Sequence, residues 1–323
     1  MTVAQAQPAS AIRHALMLDP QEHAGQLSGW DQSYEQISRG SFRSRLVEIE
    51  FADIHIFEET LGQAVFQTGR CQHDTVALGV FSALSGEARW HGRSVGLDDV
   101  IFLDGRSELL LCTPQSSSLL AVCVPLTALE PWCEHVTLPA SESAHRLTKV
   151  PVHDAAAAQR LREGLGAVIG ELLLRPNERL PDTVIHRLRD EFVMLVVDLL
   201  QGESDPQENT AVAKAKEVVQ RARTFALARR EAPPTLLELC RHTHVSPRAL
   251  QYCFQSILGE SPASYVKMLR LNGARTELKR RGEGNCISDV AANWGFWHLS
   301  QFASDYRRMF GELPSATRVG RPS

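Results

Sequence analysis

The sequence predicts an α+β chain: an antiparallel β-barrel or sandwich, then a helical hairpin, then an all-α domain with two helix-turn-helix units. Three observations carry this. Short apolar runs separated by turn residues fill positions 46–125, which is strand texture. The apolar period then lengthens to that of amphipathic helices beyond Val150. Finally, a short helix, a turn and a second helix recur twice after position 234.

The order of elements follows from local pattern. Residues 1–40 are rich in Ala, Gln, Ser and Gly without clear periodicity and are expected to be loosely held. Strands are expected at Leu46–Phe51, Ile54–Glu58, Thr75–Phe81, Glu87–His91, Val100–Leu103, Leu109–Cys112 and Leu119–Val124, making residues 41–150 the β domain. Leu161, Leu165, Val168, Ile169, Leu172 and Leu173 share one helical face. A second face, Val184, Ile185, Leu188, Phe192, Leu195, Val196 and Leu199, follows the break at Arg175-Pro176-Asn177. Residues 151–200 therefore form a hairpin that either covers the β domain or pairs two subunits. Residues 201–210 have no apolar side chain and serve as the linker. Past it, residues 211–323 form the helical domain, with a first helix over Ala213–Leu227.

Charge divides at the same linker. The net formal charge is −4, but residues 211–323 hold 18 Lys and Arg against 9 Asp and Glu, whereas residues 1–210 hold 16 against 29. A basic third on an acidic remainder points to a polyanion at that end. With 43% hydrophobic and 22% charged residues the composition is that of a globular chain, and no run approaches the ~20 apolar residues of a membrane-spanning helix. The opening MTVAQAQPAS has neither a basic leader nor an apolar stretch, so a cytoplasmic location is expected. The seven scattered cysteines show no metal-knuckle or redox spacing.

The helical domain holds the clearest local signals. Thr235 and Glu238 fit a capping box ahead of a short helix, Val245 marks a tight turn, Ser246 can cap the next helix, and Pro247 fits its first position. That helix runs to Gly259. A basic connecting helix follows over Ser264–Arg281, then a second short helix from Ile287, a turn at Gly295, and a helix over Leu299–Phe310 ending at Gly311. Two recognition helices on one stiff connector can enter successive major-groove faces of double-stranded DNA, roughly 34 Å apart. Their outward residues are the candidate base readers: Arg248, Gln251 and Tyr252 in one, Leu299, Ser300, Gln301 and Ser304 in the other. Ser246, Lys267, Arg270, Arg275, Arg307 and Arg308 are the candidate phosphate anchors.

The segments VSPRALQYCFQSILGESPASYVKMLRLNGARTEL and ISDVAANWGFWHLSQFASDYRRMFGELPS resemble the DNA-binding domain of the AraC/XylS regulators. The match runs in order through Ser246, Leu250, Phe254, Gly259, Pro262, Tyr265, Arg270, Ala274, Ile287, Asp289, Val290, Gly295, Phe302, Phe310, Gly311 and Pro314. Tyr252 and Ser304 stand where many members carry Arg, and Trp297 and His298 make the second turn bulkier than usual. The resemblance implies a transcription regulator, more often activator than repressor, dimeric, with RNA polymerase as a partner. Its N-terminal part would be a cupin-like barrel binding a small effector. The stretches FRSRLVEIEFADIHIFEETLGQAVFQTGR and GEARWHGRSVGLDDVIFLDGRSELLLCTP are most similar to the ethanolamine-utilisation regulator branch.

Candidate effector contacts are Glu58, Trp90 and Arg106. No enzyme, metal or cofactor is expected. His55, His73 and His91 are isolated, the His242-x-His244 pair lies in the first helix-turn-helix, and neither a nucleophile elbow nor a phosphate-binding Gly loop occurs. Two alternatives compete: an enzyme or chemical sensor fused to the same DNA-binding domain, and an interaction protein that has lost DNA binding. The methyl-accepting DNA-repair regulators need a clustered cysteine site near the N-terminus, whereas the first cysteine here is Cys71.

Overall fold

Alternating apolar residues in the first half build two antiparallel sheets packed face to face. The computed structural model describes residues 11–51, 53–132, 151–174, 181–201, 210–281 and 286–319. The strands are β1 (Ala11–Met17), β2 (Asp31–Gln36), β3 (Ser44–Phe51), β4 (Ile54–Leu61), β5 (Val65–Arg70), β6 (Thr75–Leu84), β7 (Ala88–Trp90), β8 (Arg93–Val95), β9 (Asp99–Asp104), β10 (Leu109–Cys112), β11 (Ser117–Pro125) and β12 (Val152–His153). A seven-stranded sheet runs β1-β3-β4-β11-β6-β9-β12, and a five-stranded sheet runs β2-β5-β10-β7-β8. Phe57, Phe81, Leu103 and Leu119 of the first interdigitate with Trp90, Leu109 and Leu111 of the second. Because side chains alternate along a strand, the opposite faces carry their own apolar sets.

Those outer faces are covered by helices. Helices α1 (Pro20–Ala24) and α2 (Leu126–Leu129) are short; α3 (Ala155–Leu174) and α4 (Asp182–Gln201) form the hairpin. Leu161, Leu165, Ile169, Phe192 and Val196 of the hairpin pack on Ile54, Ile56, Leu78, Phe102 and Val122 of the seven-stranded sheet. The hairpin thus covers the β domain, with Leu188 and Leu195 packed partly into that core. The break at 175–180 and the linker at 202–209 lie outside the described residues.

The C-terminal helices are α5 (Thr210–Ala228), α6 (Leu236–Thr243), α7 (Pro247–Leu258), α8 (Pro262–Arg281), α9 (Ile287–Asn293), α10 (Leu299–Phe310) and α11 (Pro314–Val319). Their core includes Leu250, Phe254, Tyr265, Val290, Phe302 and Tyr306, and it also takes in Phe66, Leu110 and Cys112 from the five-stranded sheet and Ile37 just past β2. Leu109 and Leu111 face the other sheet while Leu110 and Cys112 face the helices, so one strand serves two cores. The molecule is therefore mixed α and β in four layers: hairpin, sheet, sheet, helical domain.

Polar contacts reinforce that docking. Buried Glu35 of β2 accepts from the Arg223 guanidinium at 2.6 Å and from the Tyr265 hydroxyl at 2.7 Å. The Asn272 side chain donates to Gln36 O at 2.9 Å and accepts from Gln36 N at 3.2 Å. Asp19 pairs with Arg275 at 2.7 Å and with Lys279 at 3.0 Å.

Two expectations need correction. Residues 11–36, expected to be loosely held, form β1, α1 and β2: β1 pairs with β3 along its whole length, and the Asp19 carboxylate caps α1 by accepting from Gln21 N and Glu22 N. Edge pairing satisfies backbone groups whatever the side-chain period, which is why pattern alone missed it. Strands β2, β5, β8 and β12 were also unanticipated, being short or weakly apolar.

Candidate nucleic-acid interface

Local chemistry fixes both helix pairs. The Thr235 hydroxyl accepts from Glu238 N at 3.3 Å while Thr235 N donates to the Glu238 carboxylate at 2.8 Å, closing the capping box at the start of α6. The turn that follows passes through His244 in the left-handed region, φ 58°, and Ser246 Oγ then caps α7 by accepting from Ala249 N at 3.2 Å. The tight turn thus falls at His244, one position before Val245, a residue type that tolerates this conformation. In the second pair Gly295 takes φ 71°. A Cβ there would lie 2.8 Å from Glu231 O and 2.7 Å from Pro233 Cδ, so glycine is required twice over, for its torsion and for its size.

This framework turns the candidate base readers outward. Arg248, Gln251 and Tyr252 on α7 are exposed, as are Leu299, Ser300, Gln301 and Ser304 on α10. The alternating anchors Leu250, Phe254, Phe302 and Tyr306 are buried behind them. Docking on the five-stranded sheet leaves this surface uncovered, since the sheet meets α5, α7, α8 and the C-terminal end of α10 instead.

The candidate phosphate anchors divide. Ser246, Arg307 and Arg308 are exposed. Three others turn to protein partners. Lys267 pairs with Asp305 at 2.7 Å. Arg270 donates to Trp294 O and Gly295 O at 2.7 and 2.6 Å and lies over the Phe296 ring, 4.1 Å from its centre; burial lowers its pKa to about 10. Arg275 is 7% exposed, holds Asp19 and Glu312 at 2.7 Å each, and covers Phe310. Its guanidinium is not presented to solvent in this arrangement. The connector α8 is basic in sequence, yet these three cations hold the second helix pair and the N-terminal half in place.

The candidate effector residues are not brought together. Trp90 is buried and lines a narrow cavity between the sheets with Trp30, Tyr34, Phe57 and Gln67. Glu58 does not line it: it points to the other face of β4 and pairs with Arg45 at 2.5 Å. Arg106 pairs with Asp104 at 2.8 Å, away from the cavity lining. The cavity instead holds Glu59, one position along and hence on the opposite face. Buried Glu59 accepts from Tyr34 at 2.5 Å, Gln67 at 3.0 Å and the His23 imidazole at 2.7 Å. The parity of β4, with Phe57 and Leu61 facing inward, is the signal that could have selected Glu59 over Glu58. Among the described residues no group of three or more His, Cys, Asp or Glu could hold a metal ion, and His242 is stacked on Phe225, ring centres 4.1 Å apart. Among the described residues no helix is long and apolar enough to cross a membrane.

Residues 239–319 match the family model described as a helix-turn-helix domain. The chain is 36% identical over 101 residues to a probable thc operon regulatory protein of Rhodococcus erythropolis, covering 30% of each chain. It is 36% identical over 84 residues to a XylDLEGF operon transcriptional activator of Pseudomonas putida, covering 26% of each. Among solved structures, a probable AraC family transcriptional regulator from Rhodopseudomonas palustris CGA009 is 34% identical, covering 33% of this chain and 99% of that one, with a TM-score of 0.30. The chain thus spans less than a third of the length of these two curated relatives. Its C-terminal part is a helix-turn-helix domain of the kind carried by DNA-binding transcription regulators. Over that part the chain is similar to operon regulators such as the XylDLEGF operon transcriptional activator.

Proposed function

We propose that the chain is a sequence-specific, DNA-binding transcription regulator of the AraC/XylS type, with two helix-turn-helix units that read successive major-groove faces. The observation that carries this reading is the outward stripe on α7 and α10, mainly polar with Arg248, Arg307 and Arg308 as its cations, left open while the anchors Leu250, Phe254, Phe302 and Tyr306 behind it are buried. Gln251 and Gln301 would bond adenine and Arg248 guanine, with Arg307 and Arg308 on phosphate. Ser246, Lys267 and Arg270 contribute by shaping the turns and the connector, and Arg275 by locking the two halves.

The N-terminal sheets would sense a small molecule. The cavity has a volume of about 30 Å³, so it must widen to admit a ligand; the Glu59 network would then supply a polar end and the aromatic rings an apolar wall, and the N-terminal resemblance to the ethanolamine-utilisation regulators supports a small polar effector. Such a ligand acts by preferring one arrangement of the two halves, and by linkage DNA must then alter its affinity in turn. The exposed side of the hairpin, with Val184 and Met194, is the surface we assign to homodimerisation. Activation through RNA polymerase is the direction that the resemblance implies.

The test is fluorescence anisotropy of the full chain with the promoter next to its own gene, over a range of salt. Tight binding that falls linearly in log salt, with a specificity ratio over random duplex, supports the reading. Equal, weak binding to both duplexes overturns it.

A further inference from the structure

The reading surface contains two large apolar side chains that its polar chemistry does not explain. Trp297, in the turn before α10, is 71% exposed, and Leu299, the first residue of that helix, is 49% exposed. Neither joins the helical core, although their neighbours Phe296 and Phe302 do. Among the described residues no hydrogen bond or ring contact engages the Trp297 indole. The two positions are two residues apart at the start of α10, so exposed apolar surface is grouped there rather than scattered singly.

Position and charge identify what that surface meets. Both side chains sit at the N-terminal end of α10, the end that reaches base edges in a helix-turn-helix. Exposed Ser300, Gln301 and Ser304 follow along the same helix, and Arg307 and Arg308 close it. The surrounding domain carries the surplus of positive charge that suits a polyanion. On the major-groove floor the strongly apolar group is the C5-methyl of thymine; the rest is donors and acceptors. We infer that Trp297 and Leu299 are specificity-determining residues that read thymine, covering C5-methyl groups of T·A pairs in the half-site bound by the second unit. This rests on the DNA-binding reading above. It also accounts for a second unit with Ser304 at a position where an arginine would read guanine: discrimination there comes from shape and apolar contact, with Gln301 available to an adjacent adenine.

The experiment enriches a binding sequence from random duplex DNA with the full chain, then replaces each thymine of the winning duplex by uracil, which removes only the methyl group. Wild-type protein should lose about fourfold in affinity for each methyl it covers, the worth of one buried carbon. Trp297→Ala and Leu299→Ala should bind the thymine duplex more weakly and become indifferent to uracil at the corresponding position. Trp297→Phe should retain part of the discrimination. Because both side chains are exposed, the variants should keep the wild-type circular dichroism. A chain that enriches a sequence but binds its uracil form equally well overturns this inference alone. So does a Trp297→Ala protein that remains as sensitive to uracil as wild type. If Trp297→Ala dissolves a dimer of the free protein while uracil has no effect, the patch belongs to a second copy and the inference falls. A chain that enriches no sequence at all overturns the DNA-binding reading and this inference together.

Discussion

Asp19→Asn isolates the contact that joins the first helix to the DNA-binding connector. Asparagine caps a helix as well as aspartate, so the start of α1 should survive the change. What disappears is the charge facing Arg275 at 2.7 Å and Lys279 at 3.0 Å. The Lys279 pair is partly exposed and contributes little. The Arg275 pair is buried, and removing one partner of a buried pair costs about 3–5 kcal/mol. Arg275 keeps Glu312 at 2.7 Å, which places the expected loss at the lower end, about 3 kcal/mol or roughly a 150-fold change in the folded-to-unfolded ratio. Urea unfolding at pH 7, followed by circular dichroism, measures it. Burial by itself would raise the Asp19 carboxyl, but the charges and hydrogen bonds of Lys279 and Arg275 outweigh it and hold its pKa below the ordinary 3.8. Stability linked to a depressed carboxylate is complete above its unfolded pKa and is lost as pH falls through the folded value. The gap between wild type and variant should therefore be constant from pH 7 to pH 5 and close below pH 3.8. Equal urea midpoints and slopes at pH 7 would refute the argument that this pair joins the halves.

Three further outcomes are expected. Gly295→Ala places a Cβ against Glu231 O in a left-handed torsion, and should cost on the order of 1–3 kcal/mol in thermal unfolding; an unchanged melting temperature contradicts the steric account. Gln301→Ala should relax preference at one operator position with the salt slope unchanged, whereas Arg307→Ala should weaken all sequences and reduce the slope by about 1; the reverse pattern would exchange their roles. Met194→Glu should shift sedimentation from dimer to monomer with helix content intact, because Met194 faces solvent; Leu188 and Leu195 are unsuitable for that test, being packed on the core.

The helical domain was legible because its signals are local. A capping box, a Ser-Pro start and glycines at positive φ each act within four residues, and the helix over Leu299–Phe310 has the bounds that its sequence suggests. The docking was illegible because its partners are far apart in the chain: Asp19 and Arg275 are 256 positions apart, Glu35 and Tyr265 230. A cation on a basic helix reads as a phosphate ligand until its neighbour is known, and Arg275 faces Asp19. Strand parity explains Glu58. Without knowing which side of β4 faced the second sheet, adjacent glutamates were indistinguishable, though only Glu59 lines the cavity.

The grip on Met309 gives α10 the character of a lever. The Gln36 side chain and Gly40 N both donate to Met309 O at 3.0 Å, one residue from the helix end, and Ser41 lies against Gly311. From Met309 to Leu299 the helix rises about 15 Å, so a tilt of about 5° at that fulcrum sweeps its far end through about 1.3 Å. A hydrogen bond to a base edge tolerates only a few tenths of an ångström before it weakens. Small adjustments of β2, too slight to disturb either core, would thus be magnified into gain or loss of contact at the base pairs.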